Sequence, residues 1–322
     1  MDRRWGEPPA AVHPVALFGR LMTAVEERLY RDNRAAGAAF LGLGVTMGVA
    51  SGRVLERCLG PAGVALACAA ASASRMLADS ALDVARALAR DDLDEARDLV
   101  QALVGRDPRG LDSAEIARAV VESVAENSVD AVVAPVFWAA LAGAPGVLAH
   151  RAVNTLDAMV GHRSSRYHQF GWASARLDDL AAWVPARVGA LTVAAVRPRQ
   201  ARMVWKAVRE QAPAHPSPNS GVAEAAFAAA LGRRLGGTNR YGERVECRPV
   251  VGFGPPVGVG DIELATDLLR DVSRALMGFL LASGALGLVS RKSRVGRRLR
   301  RTWLPPLGSP PSGWWPCRAG TR

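Results

Sequence analysis

The run Ala35-Ala-Gly-Ala-Ala-Phe-Leu-Gly-Leu-Gly-Val-Thr-Met-Gly-Val-Ala-Ser-Gly52 carries no charge over 18 positions. After the charged break Arg53-Val-Leu-Glu-Arg57 comes a second such run, Cys58 to Ser74, of 17 residues. A bilayer core of roughly 30 Å needs about 20 apolar residues at ~1.5 Å of rise each. The pair therefore reads as a hairpin of two short membrane-spanning helices, with a buried soluble hairpin as the alternative. Three further apolar runs follow: Ala131 to Ala149, Leu180 to Val196 and Ala275 to Ser290. The first of these is interrupted by Pro135 and Ala144-Pro145-Gly146 and the second by Pro185 and Arg187, as in re-entrant helices or helices packed inside a bundle. The third runs straight into Arg291, Lys292 and Arg294, the mark of a cytoplasmic end. Residues 197–248 hold ten Lys/Arg against four Asp/Glu, which argues for the same side. One crossing between that stretch and the tail cannot satisfy both, so the number and orientation of spans stay open.

Working outward, the 322 residues are 49% hydrophobic and 22% charged, enough to bury a sizeable core and to exclude disorder as the main state. Alanine, glycine and leucine dominate and aromatics make up only 6%, which suits closely packed helices better than sheets. The fold class expected is all-α: a polytopic integral membrane helical bundle with amphipathic soluble helices between the spans, over residues 1–290. The net charge of +11 is concentrated at the end, where residues 291–322 hold nine Lys/Arg and no acid. Residues 1–290 keep 32 basic against 30 acidic groups, so no nucleic-acid-binding face is expected on the body. The basic, Pro/Gly-rich tail 291–322 is expected to be disordered. Cysteines 58, 68, 247 and 317 form no C-x-x-C pair, so neither a disulfide framework nor a zinc site is indicated. The apolar segment Val15 to Phe18 is too short for the core of a secretory signal.

Between the apolar runs, residues 79–104 read as two soluble helices, the second capped by Asp91 or Asp92 and stopped by Gly105. Asp112 with Glu115 three residues on is a capping-box start for a helix reaching about Glu126. On it Ile116, Val120 and Val124 share one side and Glu115, Arg118, Glu122 and Glu126 the other. A solvated face is the plain reading. Asn127 and Asp130 nevertheless carry the polar series into an apolar segment, where carboxylates are costly unless paired or bound to a cation. A hard ion such as Mg²⁺ would suit Glu122, Glu126 and Asp130.

A second cluster runs from Arg151 through Asn154 and Asp157 to Arg176, Asp178 and Asp179. Ion pairs that merely seal helix ends compete with a site in which Arg166 and Arg176 hold phosphate and Asp178 or Asp179 binds metal. The third is His215-Pro-Ser217-Pro-Asn219-Ser220-Gly221, leading into an alanine-rich helix over 222–231. Asn219 or Ser220 is its N-cap, so the turn is either an anion site at a helix start or an ordinary capped turn. Gly236-Gly237-Thr238-Asn239 adds flexible backbone, and Asp261 heads another helix. The common nucleotide-loop, zinc-protease and serine-hydrolase signatures are absent.

Taken in order, Val121-Glu-Ser-Val-Ala-Glu-Asn127, Arg151-Ala-Val-Asn-Thr-Leu-Asp157, Phe170-Gly-Trp-Ala-Ser-Ala-Arg-Leu-Asp-Asp179, His215-Pro-Ser-Pro-Asn219 and Leu235-Gly-Gly-Thr-Asn239 resemble the adenosylcobinamide-phosphate synthase family of cobalamin biosynthesis, the CobD/CbiB type. The likeness runs from about Gly6 to Ser290. It implies a multi-pass protein of the cell (inner) membrane that joins an amino alcohol phosphate, aminopropanol phosphate or ethanolamine phosphate, to a propionate of adenosylcobyric acid. ATP is the implied cosubstrate and Mg²⁺ the implied cofactor. The partners are those two substrates, the lipid bilayer and, as a further expectation, other corrinoid-pathway enzymes. Amide formation needs an activated carboxylate and a deprotonated amine, hence metal, phosphate clamps and a base. The expected assignment gives catalysis to Glu126, His215 and Glu122, with Glu126 or His215 as the base. Metal goes to Glu122, Glu126, Asp178 and Asp179. Substrate goes to Asn127, Asn154, Asp157, Arg166, Arg176, Ser217, Asn219, Gly236, Gly237 and Asn239. Three departures stand out: a start just before Gly6-Glu-Pro-Pro9 where members usually have a further apolar span, as in a truncated chain; Val222-Ala223 in place of the usual Trp-Pro; and an unmatched tail after Ser290. The rival readings are a membrane transporter for an anionic solute and a non-catalytic membrane scaffold.

Overall fold

The computed structural model describes residues 13–105, 107–162, 164–241 and 244–285. The polypeptide forms α1 (Pro14–Leu29), α2 (Arg34–Leu59), α3 (Pro61–Ala71), α4 (Ser74–Ala89), α5 (Leu93–Val100), α6 (Ser113–Ser128), α7 (Ala134–Val160), α8 (Trp172–Val196), α9 (Ala201–Glu210), α10 (Ser220–Leu231) and α11 (Asp261–Ala285). A two-stranded antiparallel hairpin, β1 (Arg234–Tyr241) and β2 (Arg244–Gly252), stands between α10 and α11. Among the described residues four stretches are long and apolar enough to cross a membrane: 34–59, 61–89, 113–160 and 172–196. The expected membrane-type helical bundle is therefore present, with short amphipathic helices between its long ones. The sequence hairpin is recovered as α2 followed by α3 and α4, which are separated at Ser72–Ala73. The run 275–290 contributes the last part of α11, and its residues 286–290 and the tail lie outside the described residues.

The helices end where local chemistry says they should. Asn33 accepts the Ala36 N–H at the start of α2, and Asp92, not Asp91, accepts the Glu95 N–H at the start of α5. Asp112 and Glu115 close both arms of the capping box on α6. Among the described residues the sheet is confined to the one hairpin. Gly236 and Gly237 have φ of +89° and +103° and form a bulge in β1, where a Cβ on Gly236 would lie 2.1 Å from the Pro249 carbonyl oxygen. Those glycines are a built bend rather than loose backbone.

Two features set the membrane part. Along α2, Gly44, Gly48 and Gly52 recur every fourth position and face α7 or its neighbours. A Cβ on Gly48 would stand 2.7 Å from the Leu148 carbonyl oxygen, and one on Gly52 would stand 2.5 Å from Pro145 Cα. Small residues at this spacing let helix backbones approach closely. The facing helix is broken at Gly143 (φ +65°), just before Pro145, and Glu56 of α2 accepts the Ala144 N–H at 3.2 Å. Glu56 thereby satisfies an amide beside the break in an apolar surrounding. Pro185 lies inside α8, which stays continuous. Outward-facing Leu141, Leu180, Trp183 and Leu191 are each at least half exposed, as on a lipid-facing surface.

Candidate active site

The helix that begins at Asp112 is buried on more than its apolar side. Residues Ile116 to Ala125 are almost all inaccessible except Arg118, and Glu122 is among the inaccessible ones, so the solvated-face reading does not hold for it. Glu122 accepts the Gly236 N–H at 2.9 Å, while Arg118 donates to the Gly236 and Thr238 carbonyls at 2.8 and 2.9 Å. The two side chains form an ion pair of 3.6 Å between themselves. They clamp the bulge of β1 onto α6. Glu122 is thus the anchor of the hairpin, and Gly236 and Gly237 are its counterpart. Asn239 lies on β1 and its side chain is outside the described residues.

One turn further on, α6 passes into a π-helical turn, Val129–Val133, before α7 begins. The widened turn holds Asp130, and such π-bulges are frequent at functional sites. Asn154 of α7 donates to Asp130 Oδ2 at 3.1 Å, and Asp178 of α8 lies within electrostatic reach of Asp130. Arg151 donates to Asn154 Oδ1 at 3.3 Å. Asp157 is within electrostatic reach of Asp178, Asp179 and Glu126, and Glu126 is within reach of Asp130. Asp178 Oδ1 is buried with no hydrogen-bond partner among the described residues. Two long membrane-type stretches, 113–160 and 172–196, therefore bring their carboxylates to one place. Arg176 is exposed on the same helix, close enough to act on Asp179.

The turn at 215–220 packs onto this acidic cluster. Ser220 Oγ donates to Glu126 Oε1 at 2.7 Å, and Asn219 Nδ2 donates to the Asp179 carbonyl at 2.8 Å. Arg187 donates to Asn219 Oδ1 at 3.1 Å and lies 4.3 Å over the Trp183 ring. Asn219 occupies the N-cap position of α10 without capping through its side chain; Ser217 Oγ accepts the Asn219 and Ser220 N–H groups instead. The following amides, Gly221, Val222 and Ala223, bond to the Ser217 and Asn219 carbonyls. The helix start therefore has its first amides spent on a capped turn, and it is the side chains of Asn219 and Ser220 that face α6 and α8.

His215 is buried, its Nδ1 accepting the Ser217 N–H at 3.1 Å and its Nε2 lying 3.6 Å from Glu224 Oε1, which Arg248 of β2 approaches at 3.5 Å. Burial, reinforced by Arg248, outweighs the Ser217 carbonyl 3.1 Å from Nδ1, which would favour the protonated ring, and holds the imidazole below its ordinary pKa. The unfolded chain then binds a proton that the folded chain does not, in the window below about 6.5. Stability should rise with pH across that window and level off above it. The slope of melting temperature against pH in detergent should flatten there in His215→Gln; an unchanged slope removes His215 as its source.

Besides Glu122, Gly236 and Gly237, two more expected site residues are engaged elsewhere. Arg166 pairs with Glu26 of α1 at 3.2 Å and lies 4.4 Å over the Tyr30 ring, tying α1 to the α7–α8 link. Asn127 turns back onto Ser123, donating to its carbonyl at 2.9 Å. Glu224, Arg248 and Arg187 were not singled out as site residues from sequence. The single signal was a lone carboxylate, Glu224, inside the alanine-rich helix.

Among the described residues no group of three His, Cys, Asp or Glu is gathered closely enough to hold a metal ion by itself. The donor set is nonetheless all oxygen, with one buried carboxylate atom unpartnered. That fits Mg²⁺, which commonly takes one or two carboxylates and completes its shell with water and substrate phosphates.

The sequence model of the CobD/Cbib protein family matches residues 1–269. A cobalamin biosynthesis protein CobD of Mycobacterium tuberculosis (strain CDC 1551 / Oshkosh) is 46% identical over 279 residues, covering 84% of this chain and 89% of that protein. The protein of the same name from Chromobacterium violaceum is 43% identical over 284 residues (84% and 89%), and that from Geobacter metallireducens 42% over 265 residues (78% and 83%). No solved structure matches the chain. With the family model spanning most of its length and these relatives matched over most of theirs, the chain belongs to the CobD/CbiB family and acts in cobalamin biosynthesis.

Proposed function

We propose that the protein is an amide-forming ligase, an adenosylcobinamide-phosphate synthase of the cell's inner membrane. It joins aminopropanol phosphate or ethanolamine phosphate to a propionate of adenosylcobyric acid, with ATP consumed. The observation that supports this reading is the acidic cluster, where Glu126, Asp130, Asp157, Asp178 and Asp179 from α6, the π-turn, α7 and α8 meet Asn219 and Ser220 at the start of α10.

A carboxylate does not react with an ammonium ion. In the proposed reaction a propionate oxygen takes the γ-phosphoryl group of ATP and ADP leaves. Glu126, exposed and oriented by Ser220, accepts a proton from the ammonium of the second substrate. The amine nitrogen then bonds to the acyl carbon, the acyl C–O bond breaks, and inorganic phosphate departs with the second N–H proton. Asp178, through its unpartnered oxygen, and Asp130 beside it would hold Mg²⁺ together with phosphate oxygens; the ion would supply charge neutralisation. Arg176 would meet a phosphate beside Asp179. His215, buried between Ser217 and Glu224, positions the turn that carries Asn219 and Ser220.

Membranes containing the protein, given adenosylcobyric acid, an amino alcohol phosphate and Mg-ATP, should yield a corrinoid heavier by the condensed amine, and only with ATP present. Anion flux into vesicles without any change in corrinoid mass would replace this reading with a transporter.

A further inference from the structure

α9 follows the last residue of α8 by five positions, so it lies where that membrane-type stretch ends. It is strongly two-faced. Val204 and Ala207 are buried against the body, whereas Arg202 and Arg209 are exposed on the outer side and Lys206 is exposed with its Nζ 5.6 Å over the Phe253 ring. Trp205 and Met203 border those cations and are 53% and 39% exposed. On α4 and α11 the exposed arginines are neutralised by acids on their own helix, as in Arg75–Asp79, Arg270–Asp267 and Arg274–Asp271. Arg202, Lys206 and Arg209 have no acidic partner among the described residues. An unneutralised basic face edged by an exposed tryptophan, on a short helix at the mouth of a span, is what interfacial helices present to charged lipid.

We propose that α9 is an interfacial anchor whose outer face binds the headgroups of anionic phospholipids, with Trp205 seated at headgroup level. Water alone would cover the cations but leave the tryptophan and Met203 exposed. A neutral lipid surface would cover the tryptophan but leave three cations uncompensated. Anionic lipid satisfies both. Through Ala212–Ala214 and the 215–220 turn the same helix leads directly to Asn219 and Ser220, so the lipid contact bears on the segment bonded to the acidic cluster.

The test uses the full chain reconstituted in phosphatidylcholine vesicles containing bromine-labelled lipid, with the label on either phosphatidylglycerol or phosphatidylcholine. Quenching is read as the Trp205 contribution, the difference between the wild type and Trp205→Phe. Labelled phosphatidylglycerol should quench Trp205 severalfold more than labelled phosphatidylcholine. Each basic residue near an anionic surface is worth about fivefold in local preference. The combined Arg202→Gln, Lys206→Gln, Arg209→Gln variant should therefore bring the quenching ratio of the two lipids down to about one. Arg202→Lys with Arg209→Lys keeps the charge and should keep the preference, which separates lost charge from a damaged fold. Equal quenching by the two lipids, or a preference that survives the triple change, overturns the proposal. So does a Trp205 that no lipid quenches because a second copy of the chain covers it. None of these readouts depends on amide formation.

Discussion

Glu126→Gln is expected to lower amide formation by about 10²- to 10⁴-fold, the usual contribution of a general base. The substitution is close to isosteric. Its side-chain carbonyl can still accept the hydroxyl of Ser220, which donates to Glu126 Oε1 at 2.7 Å, so the junction of α6 with α10 should survive. What is lost is a basic oxygen exposed to a substrate ammonium. The measurement is the rate of corrinoid mass increase per mole of protein in the membrane fraction, with membrane content of the variant checked alongside. Glu126→Asp keeps the basicity and shortens the reach, so it should fall between the wild type and Gln. Near-normal product from Glu126→Gln would take proton removal away from this residue.

The second large effect is on stability. Gly52→Val places a side chain where a bare Cβ is already 2.5 Å from Pro145 Cα and nitrogen, both backbone atoms that no rotamer change can move aside. Overpacking of this kind costs about 1–3 kcal/mol, and a backbone neighbour puts Gly52 at the upper end. The melting temperature in detergent should drop by several degrees. Gly42→Val is the control, since a Cβ on Gly42 meets nothing within 4 Å on the same helix. If the two variants melt alike, close approach of α2 to α7 is not what the glycines serve.

Much of the fold was legible because it is written locally. The uncharged runs mark α2 and α3, the Asp112–Glu115 pair marks the start of α6, and Asp92 marks α5. These signals act within one or two helical turns. The hairpin was not legible, because Gly236-Gly237 looks the same as loose loop or as bulge until its partner strand is known. Glu122 illustrates the limit most clearly. Its helical spacing put it on a polar face with Glu126, which is correct as geometry. Whether that face meets water or a glycine amide is decided by Gly236, 114 positions away. The convergence of Glu126, Asp178, Asp179 and Asn219 was expected from residue chemistry together with family resemblance, and the described residues do bring those groups together. The π-turn around Asp130 has no sequence signature at all, since it depends on how α6 and α7 are held by their neighbours.

The contact between α2 and the break in α7 also bears on how the chain is made. Gly52 leaves the ribosome more than 90 residues before Pro145 and Leu148, an interval of about 5–20 s at ~5–20 residues per second. Throughout that interval Gly48 and Gly52 lack their α7 neighbours and Glu56 lacks the Ala144 amide it will later receive. Insertion and docking are thus separate events for this helix, and the second must wait for translation to deliver its mate.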